Sequence, residues 1–185
     1  MYRLMQPMFD EYCEIDEFEN GINTINGDHF TRLLDICFEA ASYLSLTIAP
    51  WTFCTETELE KELEPFLVKK LRVQKWFCYN LSPSNRFLEV HIYKATPLAK
   101  AILLKYFADA FLHQQENSSM VNSTQTLEDL CIFTENSLLL GTVTHEYMCH
   151  VYPPNKKVEQ EILFIGRWRY IEDDPSERFV LEGVI

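Results

Sequence analysis

The densest run of potentially reactive side chains is His145-Glu146-Tyr147-Met148-Cys149-His150, with two imidazoles, a carboxylate and a thiol in six positions. Its spacing is not that of a zinc hydrolase. Such a site needs histidines four apart on a helix, so that both rings share a face; here they are five apart. The flanking Thr142-Val143-Thr144 and Val151-Tyr152 are β-branched and aromatic, which predicts a strand. On a strand His145, Tyr147 and Cys149 face one way, and Glu146, Met148 and His150 the other. A metal would need ligands from other segments, and no metal site is assigned. The plainer reading is a strand with one half-exposed polar face. Cys149 beside His91, His113 or His145 would make an activated thiol, whereas a cysteine among apolar neighbours is ordinarily a packed core residue.

Other catalytic signatures are absent. The five glycines (Gly21, Gly27, Gly141, Gly166 and Gly183) form no GxGxxG, GxxxxGK[ST] or GxSxG pattern, so no phosphate-cradling loop or nucleophile elbow is visible and no cofactor is expected. The carboxylate pairs Glu14/Glu17 and Asp173/Asp174 are local, while a hard cation needs several oxygens converging on it. Arg167 and Arg169 flank Trp168, but two arginines in a chain of net charge −12 make no nucleic-acid surface.

That charge is unevenly spread. Residues 1–64 carry 14 Asp and Glu against Arg3, Arg32 and Lys61, a balance of −11. The remaining residues carry 14 acidic and 13 basic side chains, a balance of −1. One-sided charge predicts a partner surface of opposite sign; the alternative is that it serves solubility. The first candidate partner-binding surface is Asp10, Glu11, Glu14, Asp16, Glu17 and Glu19, with Tyr12 and Phe18 as aromatic anchors. Glu56, Glu58, Glu60 and Glu62 form the second. Carboxylates so grouped can occupy the phosphate positions of a nuclease groove, and complementary fields speed the encounter.

A small acidic chain with scattered cysteines, few glycines and an α+β layout without motifs resembles the bacterial immunity proteins that accompany polymorphic toxins, including those of contact-dependent growth inhibition. The resemblance implies a cognate toxin domain, often a nuclease, bound tightly in the cytosol of the producing cell. It is one of kind, not of residue signature, and assigns no residue a role. Two other classes stand beside it. An enzyme site around His145, Cys149 and His150 requires a pocket enclosing those residues. An acidic structural or adaptor domain requires carboxylates dispersed over the whole surface.

The elements that must position these residues follow from periodicity. Phe9, Tyr12, Ile15 and Phe18 recur three apart, predicting an acidic amphipathic helix. Asp28 predicts the N-cap of a helix running to about Leu46, with Pro50 beyond it. Thr55-x-x-Glu58 reads as a capping box opening a helix with Leu59, Leu63, Phe66, Leu67 and Leu71 inward and Pro65 as a kink. Residues 75–80 and 87–93 read as strands joined by Ser82-Pro83-Ser84-Asn85. Thr96-Pro97 opens a helix to about Gln115, and 116–125 is a polar loop. Residues 131–133, 138–152 and 162–170 have strand composition. The sum is one α+β domain over 1–185, with helices in the first two thirds and an antiparallel sheet mainly in the second half. No run of about 20 apolar residues occurs, and the opening residues, one Arg and then acids, are not expected to act as a secretory leader. The six cysteines include no CxxC pair. A cytoplasmic protein with free thiols, acting on neither membrane nor nucleic acid, is therefore expected.

Overall fold

The computed structural model describes residues 2–5, 25–50, 57–111, 127–146, 148–172 and 179–181. Four helices occur among them: α1 (Gly27–Phe38), α2 (Glu58–Leu63), α3 (Pro97–Tyr106) and α4 (Lys156–Leu163). The strands are β1 (Tyr2–Met5), β2 (Tyr43–Ile48), β3 (Leu67–Val73), β4 (Lys75–Trp76), β5 (Tyr79–Asn80), β6 (Leu88–Lys94), β7 (Glu128–Phe133), β8 (Leu138–Val143), β9 (Met148–Val151) and β10 (Arg169–Glu172). Eight of them form one sheet in the order β10-β1-β9-β8-β7-β2-β6-β3, while β4 and β5 pair only with each other. The protein is α+β: every neighbouring strand pair is antiparallel, and three of the four helices precede the run β7–β9.

Both faces of the sheet are covered. On one face Phe30, Leu33 and Leu34 of α1, Leu59 and Leu63 of α2, Leu103 of α3 and Ile162 of α4 pack on Leu44, Leu46, Leu130, Ile132 and Val151. On the other, Trp76 and Phe77 with Phe179 and Leu181 pack on Leu88, Val90, Ile92, Cys131 and Phe133. Successive residues of β7 thus enter different cores, and every position of β7 and β8 is buried. Strands covered on both sides read as continuous apolar runs for this reason. Each such Leu, Ile or Phe removed from water contributes about 1.5–3 kcal/mol.

Several boundaries differ from those predicted by periodicity. The helix expected over 28–46 ends at Phe38, and its N-cap is Asn26, not Asp28. Leu44 and Leu46 alternate with Tyr43, Ser45 and Thr47, and this period of two takes the segment into β2. The helix expected from Thr55 is capped instead by Thr57, whose hydroxyl accepts from the Glu60 amide at 3.3 Å. It ends at Leu63, because Pro65 offers no N–H to the carbonyl a turn earlier. Residues 67–73 then form edge strand β3, where exposed Lys69, Lys70 and Arg72 oppose pairing with another chain.

Residues 75–80 do not pair with 87–93. They fold back on themselves as β4 and β5, with Cys78 turning at φ 59°, and β6 lies between β2 and β3. The helix begun at Thr96 ends at Tyr106. Residues 156–163, of which only 162 and 163 fell in an expected strand, are helical: Asn155 accepts from the Val158 amide at 3.0 Å, and Val158 and Ile162 fall one turn apart on the inner side. A 3₁₀ turn at Thr144–Glu146 splits the long strand expected over 138–152. The helix expected around Phe9–Phe18 and the polar loop 116–125 lie outside the described residues.

Candidate functional site

Of the second acidic group, Glu58, Glu60 and Glu62 are described and Glu56 is not. The short helix α2 carries all three, and each has a cation. Glu58 meets Lys61 at 2.7 Å, Glu60 meets Lys70 at 2.8 Å, and Glu62 meets Lys105 at 2.6 Å. Lys105 and the Tyr106 hydroxyl both donate to Glu62 and hold its carboxyl below the ordinary range. Glu60 also lies 3.5 Å from Nδ1 of His91, a buried residue whose Nε2 is 2.7 Å from Glu89. This surface is therefore a patchwork of exchanged charge that binds α2 to β3, β6 and α3. The first acidic group, Asp10, Glu11, Tyr12, Glu14, Asp16, Glu17, Phe18 and Glu19, lies outside the described residues.

A different cluster forms on the face that carries the β4–β5 hairpin. It begins with an irregularity in β7. Ser45 pairs with Cys131 and Thr47 with Glu128, so the single residue Leu46 opposes both Asp129 and Leu130. Asp129 takes the left-handed conformation, φ 56°, that such a bulge demands and that aspartate tolerates better than most residues. The bulge breaks strand alternation. Glu128 and Asp129, adjacent in sequence, converge on one place instead of facing opposite sides, and the 3₁₀ turn after β8 brings His145 to them.

Asp129 is held from three directions. Thr47 Oγ1 and the Tyr79 hydroxyl each donate to its Oδ2 at 2.7 Å, and the Thr144 amide donates to Oδ1 at 2.6 Å. Its own amide donates to Thr144 Oγ1 at 3.0 Å. Tyr79 has one hydroxyl hydrogen, committed to Asp129, so in its 3.3 Å contact with Nδ1 of His145 the ring nitrogen donates and the hydroxyl accepts. Burial, and then the negative charge of Asp129, push the Tyr79 phenol up and keep it a donor. Glu128 is buried at 1% exposure, and its Oε2 has no hydrogen-bond partner. Burial first, and Asp129 second, push the Glu128 carboxyl up to about 8.

The predicted reactive group does not assemble. His145 belongs to the turn, not to the strand of Cys149 and His150, so the expected face-sharing of His145 with Cys149 is lost. Cys149 sits in the helix-side core, where burial pushes its thiol up and away from a nucleophilic thiolate. His150 faces the other way, edge-on to Phe77 at 5.7 Å. His91 serves Glu89 and Glu60, and His113 lies outside the described residues. A shallow apolar groove lies between α1 and α4, with Ile36, Cys37, Pro153 and Val158 in its walls. Its free volume of about 10 Å³ is the space of one water, too little for a metabolite.

Sequence reasoning missed Glu128, Asp129, Thr47 and Tyr79. The available signal was two adjacent carboxylates opening a strand that is otherwise Leu-Cys-Ile-Phe. No family model, no curated protein and no solved structure matches this chain.

Proposed function

We propose that this chain is a non-enzymatic binding protein that neutralises a basic partner, acting as an immunity protein that covers the active site of a cognate toxin domain, a nuclease, in the bacterial cytoplasm. One observation carries this reading: the acidic surplus of the sequence is concentrated in a single stretch. Between Arg3 and Arg32 there are seven carboxylates and no lysine or arginine. The acids of α2, by contrast, are already paired with Lys61, Lys70 and Lys105. Engaging a partner through Glu58, Glu60 or Glu62 means breaking those pairs first. The binding segment is therefore Asp10 to Glu19, where Tyr12 and Phe18 supply apolar anchors among six acids. The paired acids of α2 serve the scaffold.

The test is neutralisation in cells. A small basic protein captured from producing cells on the immobilised chain is identified by mass spectrometry and expressed alone, where it is toxic. Co-expression of this chain restores growth, and Glu14→Lys with Glu17→Lys restores it far less while leaving the fold unchanged. Absence of any toxic partner, or full protection by the charge-reversed variant, overturns the proposal.

A further inference from the structure

The face opposite the helices offers a second site, independent of the partner-binding reading. We propose that Glu128, Asp129 and His145 bind a single divalent first-row transition ion, Zn²⁺ being the one their donors fit best.

Three observations meet here. The donor atoms of Glu128, Asp129 and His145 lie within 4.8 Å of one another and come from two elements, the start of β7 and the turn between β8 and β9. Ligands of one zinc ion, with bonds of about 2.0–2.2 Å, sit roughly 3.5 Å apart, so small side-chain rotations close the set. Glu128 is the second observation. A buried carboxylate oxygen without a donor is a costly arrangement, and carboxylates buried in proteins are paired or coordinate metals. No arginine or lysine is paired with this one among the described residues; what faces it is a second carboxylate and an imidazole. A cation resolves both the missing partner and the repulsion from Asp129.

The third observation is orientation. Ligating histidines usually donate their other ring hydrogen to a fixed group, which sets the tautomer and the ring angle. His145 does this through Nδ1 toward Tyr79, which is itself anchored on Asp129, while Thr47 and the Thr144 amide hold Asp129 in place. The left-handed bend at Asp129 is what turns two neighbouring carboxylates toward one point. One imidazole with two carboxylates suits a borderline ion such as Zn²⁺ better than Ca²⁺, which takes six to eight oxygens. Glu128 and Asp129 are buried while His145 is exposed, so the ion enters from the His145 side and keeps a solvent position there. Once bound, it clamps the start of β7 to the β8–β9 turn.

The full chain, stripped with a chelator, is titrated with Zn²⁺ alone by calorimetry, and with Co²⁺ by absorption spectroscopy. The expected result is one ion per chain, a rise in Tm, and a cobalt spectrum without the intense near-ultraviolet band of thiolate ligands. Glu128→Gln keeps the buried shape and His145→Gln changes an exposed turn; each weakens binding at least about tenfold. Circular dichroism confirms that both variants are folded. No uptake, unchanged affinity in both folded variants, or a cobalt–thiolate band places the ion elsewhere or nowhere and overturns the proposal.

Discussion

Glu128 shows how one side chain sets a pH dependence. Its folded carboxyl ionises near 8 against an ordinary 4.5, because burial and Asp129 both oppose its charge. Between those values the folded chain keeps a proton that the unfolded chain has lost. Stability is therefore full below about 4.5 and declines as pH rises toward 8, by roughly a few kcal/mol. Glu62 and Glu159, whose carboxyls are held down by Lys105 and Lys156, act with the opposite sign and lose their contribution as pH falls through the acidic range. Denaturant melts in chelator across neutral pH check this: Glu128→Gln should flatten the decline, and an unchanged slope would show that Glu128 is not its source. Gly141 is a steric case. A Cβ there would stand 2.6 Å from the ring of buried Phe77, which would have to shift. Gly141→Ala should cost about 1–3 kcal/mol as overpacking, read as a shift in denaturation midpoint. Phe77→Leu in the same background should recover part of that loss.

At the scale of elements, the caps decide where helices start. Asn155 begins α4 by accepting the Val158 amide, and Asn155→Ala should cost about 1 kcal/mol in thermal or denaturant unfolding. The sequence made some of these elements plain. Thr96-Pro97 opens α3 as read, with Thr96 accepting the Ala99 amide, and the strands expected over 131–133 and 87–93 correspond to β7 and to β6, which spans Leu88–Lys94. What was not legible depends on long-range pairing. Residues 43–48 carry apolar positions that fit a helical stripe or an alternating strand, and only the neighbours β6 and β7 select the strand. Residues 67–73 become β3 for the same reason, once Pro65 has ended α2. The converse holds at 156–163, where no sheet partner claims the segment and its helical spacing prevails. The Glu128–Asp129–His145 cluster was hidden in a stricter sense. It requires a bulge opposite Leu46 and a turn between β8 and β9, and neither leaves a mark in local spacing.

Over the whole molecule, charge and scaffold divide the chain. In the described scaffold Glu58, Glu60, Asp35 and Glu62 pair with Lys61, Lys70, Lys100 and Lys105, and Glu128 and Asp129 cluster with His145. No helix among the described residues is long and apolar enough to cross a membrane. The early segment carries a surplus of acids in sequence, and the proposal is that Asp10 to Glu19 recognises a basic protein. The most direct measurement is the affinity of the captured partner for the wild-type chain and for Glu14→Lys/Glu17→Lys, each at low and at high salt. The account predicts a wild-type affinity that falls steeply with salt, and a charge-reversed chain about tenfold weaker or more at low salt with a shallower salt dependence. Equal affinities with equal salt slopes would contradict it and move the contact off the acidic segment.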